Sequence, residues 1–477
     1  MIGKLVTWAL DNRLLVFLAS LLLAATGWRG LRNLPVDAVP DITNVQVQVL
    51  TSAPGLSPLE VESLVTRPVE LALMGMPGTE IVRSVSRTAV SAVTVVFRDD
   101  VALADARALV AQRLPAAREA VPASAERPEM GPMSTGLGEV YHFTLSWPGH
   151  SARDLRTLLD WEIAYSLRSV PGVVEVNAWG GEERQVEVRL RLADLRATGV
   201  GQGEVEAALL GGGQNAGGGA IERGDEQVLL RVDGRFRTVD EIANQVVGSR
   251  PGGVPVLVKD VATVREGAAL RVASATADGQ GETLYAMVQM IAGGNAHDVV
   301  GRVKERIAEI QRRLPEGVTI DPFYDRTAFV DRVLGTVTKS LVEGGVVVIV
   351  VLLLFLGDFG AGLVVATVIP LAMLGAFALM YATGQTGNLM SLGAIDFGLV
   401  VDGAVVVVEG ALAAMAMNKI KAREALAIEA VAYGKPIAFG VFIIGVVYVP
   451  VLLLEGVEGK MFRPMAWTVL FALGTAL

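Results

Sequence analysis

Long apolar runs sit at both ends of this chain, and between them lies a stretch whose apolar residues recur at short periods. The first run, Leu14 to Trp28, follows a head that carries Lys4 and Arg13. In the last third, Gly, Pro and charged residues divide the sequence into Leu341 to Leu356, Gly362 to Ala382, Leu389 to about Ala416, and Pro436 to Leu454. Each reaches or approaches the ~20 residues with which an α-helix crosses about 30 Å of hydrocarbon. A sixth run starts near Met465 and reaches Leu477, about half a span, so the expectation is a segment of a longer protein.

Residues 30 to 335 have a different rhythm. "DITNVQVQVLTS" alternates polar and apolar residues as a strand does, and "SPLEVESLVTRPVELALM" has helical spacing. "EIVRSVSR" and "AVTVVFRD" read as strands and "ALADARALVAQRL" as a helix, giving the order βαββα. The pattern recurs in "EVYHFTLSW", "ARDLRTLLDWEIAYSLRSV", "VVEVNAWG" and "QVEVRL", which predicts at least two copies of one α+β unit. Both copies turn from helix to strand at Pro-Gly, Pro77-Gly78 and Pro171-Gly172, and "RRLPEGVTI" marks a third such join.

Composition sharpens the class. In 477 residues, 52% are hydrophobic and 19% charged, which is too apolar for a soluble protein of this size. A net charge of −9 without a basic stripe excludes nucleic acid as a partner. With no Cys there are neither disulfides nor thiolate ligands, and the redox compartment stays open. Arg29 and Arg32 follow the first run with no small-residue cleavage site, so it reads as an uncleaved anchor and not as a signal peptide. Orientation comes from "NKIKAREALAIEAVAYGK" between the fourth and fifth spans: Lys419, Lys421, Arg423 and Lys435 place it in the cytoplasm with Lys4 and Arg13. The α+β region then lies outside, as do Lys460 and Arg463.

Candidate chemistry is sparse. "GGGQNAGGG" at 211 to 219 lacks the ending of a phosphate loop and reads as a hairpin. His142, His150 and His297 read as surface or turn residues, and Met74, Met76, Met287 and Met290 as packing, so no metal ligand is assigned. No catalytic motif appears, and no cofactor is implied.

The exception is "GAIDFGLVVDGAVVVVEG", residues 393 to 410, with Asp396, Asp402 and Glu409 inside a membrane-length run. Each deep acid costs about 2.5 to 3.5 kcal/mol, whereas a dozen Val, Ile, Leu and Phe return roughly 4 to 7 in total. Lipid alone does not hold such a helix, so its acids must face other helices or a wet cavity. On a continuous helix Asp402 and Glu409 share one face about 10 Å apart, and Asp396 lies about 120° round. Asp402 falls near mid-span, where it would be sheltered and able to take up a proton. Gly393, Gly398, Gly403 and Gly410 are expected to let helices approach closely.

These stretches, with "NLPVDAVPDITNVQVQVLTSAPGLSPLEVE", "GPMSTGLGEVY", "SVPGVVEVNAWGG" and "EGVEGKMFRPMAWTV", resemble the N-terminal half of resistance-nodulation-division transporters, in the CzcA-like heavy-metal efflux branch. The resemblance implies a membrane α-helical bundle plus a periplasmic α+β region of repeated ferredoxin-like βαββα units. It implies a proton relay on Asp402, with Asp396 and Glu409 as accompanying acids. The form "DFG…VDGA" resembles the exporters of zinc, cobalt, cadmium or nickel. Copper and silver exporters have alanine at the Asp396 position, and multidrug members have two adjacent central aspartates where this chain has Val401-Asp402. The chain departs from the pattern at Glu409-Gly410, where Glu-Asn is usual, and at Phe359-Gly360, where Arg is common.

The division implied is 1–30 for the cytoplasmic head and first span, 31–135 for a first porter subdomain, and 136–180 with 271–335 for a split second one. Residues 181–270 would form a docking subdomain with the Gly-rich hairpin, and 336–477 spans two to five and the start of a sixth. The function implied is secondary active export of divalent cations, not enzymatic catalysis. It would proceed from a homotrimer in a Gram-negative inner membrane, with a periplasmic adaptor and an outer-membrane channel. A multidrug pump and a non-transporting scaffold are the alternatives.

Overall fold

The computed structural model describes residues 2–477 apart from Val36, Ala38, Arg250, Pro251, Leu270, Val272 and Gln280. Two positions of the "NLPVDAVPDITN" motif, Val36 and Ala38, thus lie outside the described residues. Among the described residues five helical stretches are long and apolar enough to cross a membrane: Arg13–Asn33, Arg326–Leu356, Phe359–Ala382, Leu389–Met417 and Ala422–Leu452.

A short helix α1 (Ile2–Asp11) precedes α2 (Arg13–Asn33), with Asn12 at the break. The first sheet follows. Strand β1 (Val45–Ser52) leads to a helix in three pieces: α3 (Pro58–Val61), a π turn (Glu62–Thr66) and α4 (Arg67–Leu73). Ser57 and Glu60 close a capping box at its start. Next come β2 (Thr79–Arg87), β3 (Val90–Phe97), α5 (Leu103–Ala120) and β4 (Glu129–Met130). The antiparallel sheet runs β2-β3-β1-β4. Alternate residues Val47, Val49, Val93 and Val95 are buried with Val69, Leu73, Val110 and Leu114 of the helices, as a period of two demands.

The second unit is β5 (Glu139–Ser146), then α6 (Ala152–Leu158), a π turn (Leu159–Ile163), α7 (Ala164–Arg168) and β6 (Val173–Trp179). Here the structure departs from the sequence reading. "QVEVRL" lies in β7 (Arg184–Leu190), which leaves this sheet. Before the partner of β7 the chain forms α8 (Leu192–Thr198), α9 (Gln202–Gly212), β8 (Ala216–Arg223), β9 (Glu226–Val232), α10 (Val239–Ala243), β10 (Val246–Ser249), β11 (Pro255–Leu257) and α11 (Val258–Val261). β7 then pairs antiparallel with β12 (Ala262–Ala268). After β13 (Ala275–Thr276), the third place in the second sheet goes to β14 (Glu282–Met290), followed by α12 (Ala296–Gln311) and β15 (Thr319–Asp325). β14 pairs with both β5 and β6, and β15 with the other edge of β5, so the order β6-β14-β5-β15 matches that of the first sheet. The reason is burial: β14 offers Leu284, Ala286, Val288 and Met290 to the core of Phe143, Leu159, Ile163 and Leu167. The four buried apolar positions of β14 outweigh what β7 could supply, where Val188 and Leu190 are only half-buried and Val186 is exposed. The Gly-rich stretch ends α9 and opens the β8–β9 hairpin, both of whose strands are exposed throughout.

The bundle resumes with α13 (Arg326–Leu356), started by Asp325, whose carboxylate caps the Thr327 and Ala328 amides. The expected boundary at 336 therefore falls inside one 31-residue helix whose first half carries Arg326, Asp331, Arg332 and Lys339 and whose second half is the apolar run. α14 (Phe359–Ala366) and α15 (Val368–Ala382) follow, then α16 (Leu389–Gly393), α17 (Phe397–Asn418), α18 (Ala422–Leu452) and α19 (Gly456–Ala476). α19 starts at Gly456, earlier than Met465. The long loop expected between the fourth and fifth spans shrinks to residues 419–421, because the segment holding Arg423 and Lys435 is already helix α18. α2 and α15 meet at Gly27 and Gly30, where a Cβ would lie 2.3 Å from the Leu374 carbonyl oxygen and 2.7 Å from that of Phe377. At one end of the bundle Arg423 pairs with Asp11 at 2.6 Å; at the other Lys460 pairs with Asp99 of the first unit at 2.6 Å and donates to the Thr43 carbonyl at 3.0 Å.

Candidate functional site: the acids of the fourth membrane-length helix

The three acids do not share one helix surface. α16 stops at Gly393, and α17 begins only at Phe397, so Asp396 stands between them as the N-cap of α17 in extended conformation. Its carboxylate accepts from the Gly398 amide at 2.8 Å. An aspartate before an apolar run satisfies one of the free amides of the helix start, and this local preference overrides the continuous helix that hydropathy predicts. Asp396 also lines a groove of about 580 Å³ between α13 and the α16–α17 break, with Thr336, Ser340 and Gly344 across from it.

Asp402 and Glu409 are on α17 as spacing predicts, and they share a face. Asp402, Val406, Glu409 and Ala413 are all exposed, whereas Val400, Val401, Ala411 and Ala414 are buried toward the rest of the bundle. The sheltered setting expected for Asp402 is thus not provided by this chain, whose own helices cover only the opposite face. Among the described residues neither the Asp402 nor the Glu409 side chain makes a hydrogen bond or ion pair. Asp402 lies near the midpoint of the Leu389–Met417 stretch. On a membrane-length helix, two acids in one apolar stripe mark a face meant for protein or water, since lipid would penalise both.

The glycines sort into two kinds. At Gly403 a Cβ would come within 2.9 Å of Ile437, and at Gly410 within 3.1 Å of the Glu429 carboxylate and 3.2 Å of Tyr433, so both let α17 approach α18. Gly398 meets only the cap carboxylate of Asp396, and Gly393 faces open space, so neither serves helix packing as expected. Glu429 is an acid that sequence reasoning missed, because its segment was read as a connecting loop. The signal was present: "AREALAIEAVAY" has helical spacing up to the apolar run.

The second sheet holds another correction. His142 is neither a surface nor a turn residue; it sits in mid-β5, half-buried, its ring 4.8 Å from Tyr324, 5.7 Å from Phe323 and 6.3 Å from Tyr285. Burial lowers its pKa below the ordinary value, and Glu139, whose carboxylate is 3.6 Å from Nε2, pulls partly the other way. Met287 lies opposite His142 on β14, and Met290 is core. His150 stacks on Trp147 at 3.5 Å, and His297 lies exposed, 3.7 Å from Asp331. Among the described residues no three His, Asp or Glu side chains converge as a metal site.

Comparison with known proteins places this arrangement. Residues 5–477 match the AcrB/AcrD/AcrF family. The cation efflux system protein CzcA of Alcaligenes sp. (strain CT14) is 43% identical over 99% of this chain and 46% of its own length. The nickel-cobalt-cadmium resistance protein NccA of Alcaligenes xylosoxydans xylosoxydans is 38% identical over 100% of the chain and 48% of itself. The cation efflux system protein CusA of Escherichia coli (strain K12) is 34% identical over 100% and 47%. A crystal structure of a heavy metal efflux pump superposes with a TM-score of 0.89 at 34% identity, covering 99% of this chain and 47% of that one. The chain spans about half the length of the curated relatives it matches. With a match over nearly its whole length and, among the described residues, a mixed α/β region set between one membrane-length helix and four more, this chain belongs to the AcrB/AcrD/AcrF family of resistance-nodulation-division efflux proteins.

Proposed function

We propose that this chain is the N-terminal half of a pump that exports divalent heavy-metal cations, zinc, cobalt, cadmium or nickel, in exchange for protons. The observation that carries the reading is the stripe of Asp402 and Glu409 on the uncovered face of α17, at mid-span for Asp402. A carboxylate that is charged while wet and neutral while enclosed can carry a proton across the barrier, and each proton moving down 100 mV releases about 2.3 kcal/mol. Asp402 is the relay residue in this reading and Glu409 its companion one face-repeat away. Asp396, tied up as a cap, takes part by setting where α17 begins. The likeness to CzcA and NccA supports metal cargo.

In the same reading the two sheets are ferredoxin-like porter units, bounded at 31–135 and at 136–180 with 271–335. Residues 181–270 form the docking part, and its exposed β8–β9 hairpin reaches a neighbouring copy in a homotrimer. The region lies in the periplasm above a Gram-negative inner membrane, where an adaptor and an outer-membrane channel complete the path.

The test is Asp402→Asn in the full-length gene, expressed in a metal-sensitive host. The expected outcome is loss of zinc, cobalt, cadmium and nickel tolerance with normal protein yield, since an amide cannot release a proton. Unchanged metal tolerance accompanied by altered dye efflux would point to a multidrug pump instead, and unchanged behaviour in both assays to a scaffold.

A further inference from the structure

We propose that Arg326 is a positioning residue that couples the acid-bearing segment α16–α17 to the α/β region. This rests on the proton-driven reading above and adds to it the place where motion leaves the membrane bundle.

Arg326 is the first residue of α13, and only 5% of its surface is exposed. An arginine so enclosed needs partners, and it finds them on two other segments of chain. Its Nε donates to Asp37 Oδ1 at 3.3 Å and its Nη2 to Asp37 Oδ2 at 2.5 Å, while Nη1 donates to the Leu137 carbonyl. The planar fork serves all of these acceptors at once, which a lysine cannot do.

Each segment leads somewhere. Asp37 follows α2, and its amide donates to the Gly387 carbonyl at 2.9 Å while the Gly387 amide donates to the Pro35 carbonyl at 2.9 Å. Gly387 is directly followed by Asn388, whose buried side chain caps α16 through the Ser391 amide at 2.9 Å. From there the chain runs through α16 to the Asp396 cap and α17. Leu137 lies on the link between the two sheets, after β4 and before β5, and the neighbouring Gly138 carbonyl accepts from the Met290 amide at 2.7 Å. Asp325, one residue before Arg326, pairs with Lys304 of α12 at 2.5 Å. The start of α13 is therefore held to the second unit by Asp325, and to both the inter-sheet link and the α16 entry by Arg326.

A buried ion pair is a poor stabiliser compared with apolar packing, so stability alone does not account for a charge here. Its geometry does something packing cannot. The fork either holds Asp37 and Leu137 together or releases them, and a shift of the α16 entry at Gly387 reaches Leu137 through three hydrogen-bonded contacts, Gly387 to Asp37, Asp37 to Arg326 and Arg326 to Leu137.

The experiment uses the full-length protein in proteoliposomes, with a zinc indicator and a pH indicator read together. For Arg326→Met the expected result is a fall of about fivefold or more in zinc moved per proton, with proton movement persisting; Arg326→Lys should fall between that and the parent. An unchanged ratio in both variants, or proton movement lost in step with zinc, would overturn the assignment. Where Arg326→Met does not fold, Arg326→Lys and Asp37→Asn decide by the same criterion. Zinc movement without protons in the parent protein would overturn the proton-driven reading itself, before any variant is made, whereas a constant ratio overturns only the role of Arg326.

Discussion

The α/β region and the helix bundle are both rich in apolar residues, yet they spend them in opposite directions. In the second sheet, Phe143, Leu284, Leu159 and Ile163 are enclosed between strands and helices of the same chain. In the bundle, Phe355, Phe442 and Val447 point outward, and none of the apolar window of α18 is buried, against 44% for the stretch holding α14 and α15. The closest helix contacts inside the bundle use small residues, Gly27, Gly30, Ala372, Gly375 and Ala376, beside larger buried ones such as Ile369, Phe377 and Met380. Water drives the first arrangement, because burial there removes apolar surface from a solvent that rejects it. Lipid offers no such drive, so helices associate where small residues allow close contact, and many large ones can face outward. The open stripe of Asp402 and Glu409 is the exception within the bundle, since it is polar where its neighbours are greasy.

The contrast can be broken by substitutions matched across the two regions. The largest effect is expected for Phe143→Ala, which should destabilise the α/β region by about 3 to 5 kcal/mol, the range for emptying a core phenylalanine. Phe442→Ala, the same change on the outward face of α18, should stay within about 0.5 kcal/mol. Hydrogen exchange on the purified protein reads both, and equal losses would dismiss the inside-out description of the bundle. Next in size is Gly27→Val. A side chain there runs into the Leu374 backbone, so α2 and α15 must separate at a cost of about 1 to 3 kcal/mol. The measurement is the detergent melting temperature, which should fall, while Gly301→Val, at an open position on α12, leaves it unchanged.

The smallest effect is electrostatic. Because burial holds the pKa of His142 below its unfolded value, the folded α/β region binds this proton less readily than the unfolded chain does. Its stability should therefore be insensitive to this group above about pH 6.5 and fall as the pH drops below that, levelling off once the folded pKa is passed. His142→Gln should flatten that part of the profile; a slope that survives the change belongs to other groups.

Much of this was legible from local pattern. The apolar runs predicted five membrane-length helices, and alternation in "NVQVQVL" and "AVTVVF" predicted β1 and β3, because side-chain direction repeats every two residues in a strand. The placement of Asp402 and Glu409 on one face followed from helical geometry in the same way. The helix position of Asp396 was misread, because hydropathy averages over a window while capping is decided by one residue and one free amide, that of Gly398. Glu429 was hidden by treating charge as a sign of loop.

By itself, then, the sequence determined what each short stretch does: where chain turns helical, which edge of a strand is apolar, and that acids stand in a membrane-length helix. Only the tertiary structure decided who meets whom. It seated β14 in place of β7, set His142 among aromatic rings, and brought Asp37 to Arg326 across 289 positions. The physical reason is range. Backbone periodicity and capping act over a few residues and are written locally, whereas partner choice is settled by how much apolar surface a whole arrangement buries and whether each enclosed charge finds its acceptors.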